Sequence, residues 1–311
     1  YFQNWFIRHG ADALGYLETL SPAEKYDLLV GDPEWTLTKA QINEGKQYAF
    51  DDNNNSKAVE GWMGICHGWS PASYMDARPR HQITAISATG AQISFRPDDI
   101  KALSSLKWAY GQAAHHDANS GQLTLASRFI GGRCDVKSDE IQRDSASGAI
   151  TNPECFDTNP ASWHKSIVNQ IGQLRKSFVM DATFDYEVWN QPLVSYSYTY
   201  FNPATLRPTS NIQEAIQPIG FAGDKFAAFR GQNRGNGSAD AVIGVIMEVN
   251  YVGETWPPAK TNDSEAEDAM RSVRYVYDLE IQQDGTIVGG EWYQDAHPDF
   301  LWTAAADSFA W

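Results

Sequence analysis

The chain has few positive charges, few cysteines and no long apolar runs, and each shortage excludes something. No uninterrupted apolar stretch of roughly 18 residues occurs, so the sequence predicts no transmembrane helix. Only 24 lysines and arginines stand against 39 aspartates and glutamates, which gives a formal net charge of -15. Because such a surface repels other polyanions at long range, we expect neither nucleic acid nor a membrane as a partner.

The three cysteines are an odd number, so at most one disulfide can form within the chain. Cys134 and Cys155 both lie in polar, turn-rich sequence, as expected for a bridge that closes a surface loop. Such a bridge would stabilise the protein by roughly 3 kcal/mol and would imply an oxidising, extracellular compartment. Cys66 is then the remaining thiol. The alternative is three reduced thiols in a cytosolic protein.

Three helices are predicted in the first part of the chain. The sequence Ser-Pro-Ala-Glu at residues 21–24 is a capping box that opens the first, and residues 96–99 open the second, which continues up to Gly111. The third begins near Asn159 and ends near Lys176. Its apolar stripe consists of Trp163, His164, Ile167, Val168, Ile171 and Leu174.

From residue 178 onward the pattern changes to short runs of β-branched and aromatic residues, for example at 194–200 and 242–249. The dipeptide Asp284-Gly285 between two such runs predicts a hairpin. We therefore predict an α+β fold in which a helix-rich part, about 1–176, packs on a mainly antiparallel sheet formed by about 177–311. No composition break divides the chain, so we expect a single domain, 1–311.

The segment around Cys66 has features that suit a nucleophile. Gly64 and Gly68 flank the thiol and would let a substrate approach the backbone, while Trp62 and Trp69 are placed to form the walls of a cleft. A buried structural cysteine is the alternative interpretation. The two glycines and the adjacent histidine favour the nucleophile.

The sequence Ser70-Pro71 can cap and begin a helix. Cys66 would then lie just before a helix N-terminus or, if the helix starts earlier, inside its first turn. Either position favours the thiolate, through the helix dipole and the unpaired N–H groups of the first turn.

A cysteine nucleophile needs a base, and the base needs a third group that orients it. Among the seven histidines, His164 lies on the inward stripe of the third helix, where a polar ring requires a partner. The alternative is a structural histidine in the core whose ring nitrogens have hydrogen-bond partners. His67 is adjacent to Cys66, but neighbouring side chains on a helix point about a hundred degrees apart.

The chain order of Cys66, His164 and then a carboxylate on a following strand is used by several thiol acyltransferases and peptidases. Asp181 is a lone acid in an apolar run, and we predict that it orients the histidine. Asn190 is the alternative, because an amide has this role in papain-like enzymes.

Residues 188–192, Val-Trp-Asn-Gln-Pro, resemble the core of the peptide epitope of the transglutaminase elicitor family, which is described in oomycete plant pathogens and also found in marine bacteria. Further segments that look like this family span nearly the whole chain, at residues 25–32, 64–69, 159–164, 289–293 and 297–302.

The resemblance implies a secreted enzyme that joins glutamine side chains to primary amines with a Cys-His-Asp triad, on a fold distantly reminiscent of cysteine peptidases. Cys66 and His164 follow from the matching segments, whereas Asp181 is assigned by position. The partners would be proteins that bear glutamine and lysine. After Pro192 the sequence departs from the oomycete epitope, which puts recognition by plant receptors in question.

Such a triad requires no cofactor, although the family also suggests calcium dependence. Residues 51–55, Asp-Asp-Asn-Asn-Asn, offer oxygen ligands but lack the spacing of a dedicated calcium loop. We expect a solvated turn there and assign no metal ligand.

The activity predicted for this catalytic domain is that of a protein-glutamine γ-glutamyltransferase. A cysteine peptidase or amidase is one alternative, since it would use the same triad and resolve the acyl-enzyme with water. The other is a non-catalytic surface protein that a host recognises through the loop around Trp189. Such a protein would have no need of a Cys66 that favours the thiolate.

Overall fold

The computed structural model describes residues 17–51, 53–110, 115–116, 123–124, 128–134, 136, 139–155, 158–230, 238–255 and 259–304. They form two compact units. The first takes the described residues of Tyr1–Gly111 and Thr255–Asp268, and the second those of Gln112–Glu254 and Ala269–Trp311. This division does not fall at residue 176, because the third predicted helix belongs to the second unit. That the two units act as a single catalytic domain stays a prediction.

The first unit is mainly helical. Its elements are α1 (Pro22–Val30), α2 (Thr36–Ala49), α3 (Cys66–Met75), β1 (Ile83–Ile86), β2 (Gln92–Phe95), α4 (Pro97–Tyr110) and a 3₁₀ turn at Glu265–Glu267. Strands β1 and β2 pair as an antiparallel hairpin. The first two predicted helices correspond to α1 and α4.

The capping box predicted at the start of α1 is confirmed. Ser21 Oγ accepts a hydrogen bond from the N–H of Glu24 at 3.3 Å, and Glu24 Oε2 accepts one from the N–H of Ser21 at 2.7 Å. At the start of α4, Asp99 accepts from the N–H of Arg96 at 2.9 Å. Asp99 also forms a buried ion pair with Lys25 of α1 at 2.6 Å, so one carboxylate caps α4 and ties α1 to it.

The second unit is built on a sheet. Its elements are β3 (His115–His116), β4 (Leu123–Thr124), β5 (Arg128–Gly131), a 3₁₀ turn at Pro153–Cys155, α5 (Pro160–Ile167), a π-helix at Val168–Gln173, β6 (Val179–Met180), β7 (Gln191–Asn202), β8 (Arg207–Thr209), α6 (Ile212–Ala215), β9 (Ile216–Pro218), β10 (Ala241–Gly253), β11 (Ala269–Ile281), β12 (Ile287–Gly289) and β13 (Phe300–Thr303).

In the described residues, nine of these strands form one antiparallel sheet with the order β12-β11-β10-β7-β6-β13-β5; β8 pairs with β7, and β9 pairs with β10. The predicted runs at 194–200 and 242–249 lie in β7 and β10. The predicted hairpin joins β11 to β12, and Gly285 takes the left-handed conformation at its turn, with φ +85°. The α+β class is therefore confirmed.

Helix α5 covers one face of the sheet. Asn159 caps it by accepting from the N–H of Ala161 at 2.9 Å, and Trp163 and Ile167 are fully buried in the core. The inward stripe was predicted to continue to Leu174, which is instead 58% exposed. The chain changes to a π-helix after Ile167, and its wider turn rotates later side chains away from the helical spacing.

The disulfide predicted between Cys134 and Cys155 is present, with the two Cα atoms 4.4 Å apart. Both cysteines are buried, while the segment that they close carries exposed residues, among them Glu140, Gln142 and Arg143, as expected for a surface loop. Closing a segment of this length constrains the unfolded chain and stabilises the fold by roughly 3 kcal/mol.

The helices of both units are short. The longest that the structure describes, α2 and α4, have 14 residues each. In the described part of the chain, none combines the length and the apolar character that crossing a bilayer requires.

Candidate active site

Cys66 is the first residue of α3 and is 7% exposed. The carbonyl of Ile65 accepts hydrogen bonds from the N–H of Gly68 at 2.8 Å and of Trp69 at 3.0 Å, and this turn starts the helix. The predicted position of Cys66 in the first turn is confirmed. Of the two starts that the sequence left open, the earlier one is present, because the helix already runs at Ser70 and Pro71 lies inside it. The N-terminal end of α3, with its helix dipole, therefore lies at the thiol.

Gly68 has a different role from the substrate access predicted for it. A Cβ atom built on Gly68 would lie 2.6 Å from Ala109 Cβ and closer still to the carbonyl oxygen of Ser105, both in α4. The missing side chain thus allows α3 to pack against α4. At Gly64 a Cβ would meet nothing within 4 Å among the described residues, and substrate access there stays a prediction.

Two residues of α2 that the sequence did not single out interact with the start of α3, Tyr48 with Cys66 and Glu44 with His67. Tyr48 interacts electrostatically with Cys66 and donates a hydrogen bond to Glu44 Oε1 at 3.3 Å. Burial and the Glu44 carboxylate raise the pKa of Tyr48, so its hydroxyl stays protonated at neutral pH. Burial lowers the pKa of His67. Nothing in the sequence of α2 marks Glu44 or Tyr48, which approach the start of α3 only through the fold.

His164 lies on α5, in the second unit, and is 8% exposed. Its ring makes an edge-to-face contact with Tyr198 of β7, with centroids 5.4 Å apart. Its Nδ1 atom forms a 2.7 Å hydrogen bond with Tyr277 Oη of β11. Burial lowers the pKa of His164 to about 4, so the imidazole is neutral at pH 6 and above and is available as a base.

Asp181 follows β6 and is fully buried. Its carboxyl oxygens accept hydrogen bonds from the N–H groups of Trp189 at 2.8 Å and Thr183 at 3.4 Å. In the described residues no hydrogen bond joins Asp181 to His164, whose Nδ1 is occupied by Tyr277. The structure thus does not pair the predicted base with the predicted orienting carboxylate, and the orienting role of Asp181 stays a prediction.

The charge state of Asp181 bears on that role. Burial raises the pKa of Asp181 to about 8, against the lowering effect of the Trp189 N–H, and the neighbouring Asp299 carboxylate raises it further. At pH 7 the side chain is therefore mostly a neutral acid. A neutral acid gives a protonated imidazole much less stabilisation than a carboxylate does.

We expect Asp181→Asn to gain stability over the wild type as the pH rises. A raised pKa means that the stability due to this group is fully present below pH 3.8 and is lost as the pH rises toward 8. The asparagine does not ionise, so the difference in unfolding free energy should shift by about 2–4 kcal/mol in its favour between pH 5 and pH 9. Urea unfolding at both pH values measures it. If the unfolding free energies of the two proteins changed equally between pH 5 and pH 9, Asp181 would ionise with an ordinary pKa.

The segment 186–192 holds Asp181 and its neighbours in place. Besides the bond from the Trp189 N–H, Asn190 Oδ1 accepts from Trp302 Nε1 at 2.8 Å, and Gln191 Oε1 accepts from the N–H of Ala182 at 2.9 Å. Asn190 was the alternative orienting residue, and its side-chain oxygen is directed to Trp302 rather than to His164. The residues that resemble an epitope are thus also part of the packing around Asp181.

No three His, Cys, Asp or Glu side chains of the described residues are grouped as a metal site would require. In the predicted solvated turn, Asp51 accepts from the N–H groups of Asn53 at 3.0 Å and Asn55 at 2.7 Å, and Asn54 is left-handed. Asp52 lies outside the described residues. The Asp51 carboxylate therefore caps its own turn, and we assign it no ligand.

The α+β fold is similar to that of the GP42 transglutaminase from Phytophthora sojae, with a TM-score of 0.57 and 23% sequence identity. The similarity covers 92% of this chain and 75% of that one, so the fold is one that a transglutaminase adopts. The sequence model of the transglutaminase elicitor family matches residues 38–309, and the chain belongs to that family. Among curated proteins, no relative matches.

Proposed function

We propose that the chain is a protein-glutamine γ-glutamyltransferase, which joins glutamine side chains to lysines and other primary amines. The observation that carries the proposal is the position of Cys66. In a chain of this family, the cysteine outside the disulfide is the first residue of a helix, where the dipole and the first-turn N–H groups favour a thiolate.

In the proposed acylation, the Cys66 sulfur attacks the carbonyl carbon of a glutamine γ-carboxamide. His164 takes the thiol proton and passes it to the departing nitrogen, so ammonia leaves as the C–N bond breaks and a thioester forms. Backbone N–H groups at the start of α3, including that of Cys66, are the proposed donors to the oxyanion. Each donor of this kind typically contributes 10²–10³-fold to the rate, as an order of magnitude.

In the proposed second step, a lysine ε-amine attacks the thioester. His164 removes a proton from the amine and returns it to the cysteine sulfur, so an isopeptide bond forms and the thiol is regenerated. The carboxyl proposed to orient His164, by its position in the sequence, is that of Asp181. If water attacks the thioester in place of the amine, the glutamine becomes glutamate.

The proposed partners are proteins that carry accessible glutamine and lysine side chains, and the proposed location is extracellular. The disulfide supports that location, because such bridges persist in oxidising compartments. The proposed steps use protein side chains alone and need no cofactor. A calcium requirement is tested by assaying with and without the ion.

The proposal is tested by incubating the protein with a glutamine-rich protein and a fluorescent primary amine, with and without calcium. Incorporation of the amine, release of ammonia and peptide cleavage are followed together. We expect incorporation with about one ammonia released per amine, and its loss after alkylation with iodoacetamide. Ammonia release without incorporation would indicate an amidase, and cleavage would indicate a peptidase. No reaction under any condition would favour a non-catalytic surface protein.

A further inference from the structure

His164, Tyr277 and Met247 form a buried chain of contacts across three elements of the second unit. His164 Nδ1 lies 2.7 Å from Tyr277 Oη, and the same hydroxyl lies 3.8 Å from Met247 Sδ. Tyr277 and Met247 are both fully buried. Their positions are fixed by the pairing of β10 with β11, in which Tyr277 lies opposite Val245 and Tyr275 opposite Met247.

The hydrogen bonds among these three side chains have a preferred direction. A thioether sulfur can only accept a hydrogen bond, so the contact with Met247 is satisfied when the Tyr277 hydroxyl donates to it. The Tyr277 oxygen then has lone pairs with which to accept from Nδ1–H of His164. Burial raises the pKa of Tyr277 well above its ordinary value, so the hydroxyl proton is present throughout the working range of pH.

We propose that Tyr277 is the positioning residue of His164, because it accepts the Nδ1–H bond, fixes that tautomer and leaves the lone pair of Nε2 for proton transfer. The inference rests on the proposed function, in which His164 is the base. In the described residues Nε2 makes no hydrogen bond. In the opposite tautomer Nε2 would carry the proton and could not act as a base.

A tyrosine hydroxyl is a suitable partner for a histidine that is neutral before the reaction begins. In the described part of the chain, the rings that contact His164 are those of Tyr277 of β11 and Tyr198 of β7. Burial is the cause of the low pKa of His164, and no carboxylate of the described residues opposes it. Asp181, the carboxyl assigned to this role from the sequence, bonds instead to the backbone of Trp189 and Thr183.

The test combines Tyr277→Phe with a matched variant, Tyr275→Phe. Tyr275 is also fully buried on β11, and its hydroxyl donates to the carbonyl of Ala182 at 2.7 Å, but His164 is not its partner. Each hydroxyl also contacts a methionine sulfur, Met247 for Tyr277 and Met180 for Tyr275, so both variants remove one buried hydroxyl with the same kinds of partner. ¹⁵N NMR of histidine-labelled protein reports the tautomer of His164, assigned with His164→Gln, and amine incorporation gives kcat and KM.

We expect the wild type to carry its proton on Nδ1. In Tyr277→Phe that tautomer should lose its preference, with kcat falling roughly 10- to 100-fold and KM nearly unchanged. Tyr275→Phe should keep the proton on Nδ1 of His164, and its kcat should stay within a few-fold of the wild type. The inference would be overturned if His164 in the wild type carried its proton on Nε2. It would also be overturned if Tyr277→Phe kept the wild-type tautomer and kcat while Asp181→Asn lost both.

The NMR measurement separates this inference from the proposed function. If the wild type incorporates no amine, the proposed function fails, and the tautomer still reports on Tyr277. If Tyr277→Phe does not fold, the wild-type tautomer alone decides between support and rejection.

Discussion

Cys66→Ala is expected to lower amine incorporation by at least about 10³-fold and to leave the fold intact. The thiolate forms and breaks the acyl bond in the proposed mechanism, and no other described cysteine can replace it, because Cys134 and Cys155 are joined in the disulfide. The substitution removes one buried sulfur atom at the end of a helix, so the free energy of unfolding should fall by no more than about 1–2 kcal/mol. Incorporation of a fluorescent amine and urea unfolding measure the two effects.

The matched control is Ser70→Ala on the same helix. Ser70 is fully buried, and its hydroxyl has no hydrogen-bond partner in the described residues, so its removal should not destabilise the protein. Activity should stay within a few-fold of the wild type. If Cys66→Ala keeps its activity, another group is the nucleophile, and if both variants lose activity, the defect lies in α3 and not in the thiol.

The parts of the fold that the sequence predicted correctly depend on local chemistry. The capping box of residues 21–24 and the Asp-Gly turn at 284–285 specify their own geometry over a few residues, and both are present. The sequence left the start of α3 open for a related reason. Ser70-Pro71 is a good local start signal, but the helix begins at Cys66, where the Ile65 carbonyl accepts two N–H groups and α4 packs on Gly68.

The candidate site shows the limit of sequence reasoning more clearly. His164 was found because it lies on a periodic stripe. Its partner Tyr277 lies 113 residues away, and only the register of the sheet brings it there. Asp181 was chosen because a charge in an apolar run requires an explanation. The explanation in the structure is that Asp181 accepts backbone N–H groups of the segment 183–189 at a depth where its pKa is raised.

Gly68→Ala is expected to destabilise the protein by about 2–4 kcal/mol, although alanine is the better helix former. In a helix with open space around it, the change from glycine to alanine stabilises by about 0.5–1 kcal/mol. At Gly68 the new methyl group would meet Ala109 Cβ at 2.6 Å and the Ala109 nitrogen at 2.7 Å. Because those atoms belong to α4 and cannot rotate away, α3 must shift.

The shift of α3 should also reduce activity, because Cys66 is the first residue of that helix. A displacement of about 1 Å at a reacting atom can cost about 10²-fold in rate, and we expect a loss of at least about 10-fold per folded molecule. Gly45→Ala in α2 is the matched control, since a Cβ there meets no atom of the described residues within 4 Å. It should stabilise the protein slightly and leave activity unchanged. Equal effects of the two substitutions on urea unfolding would mean that α3 does not pack on α4 through Gly68.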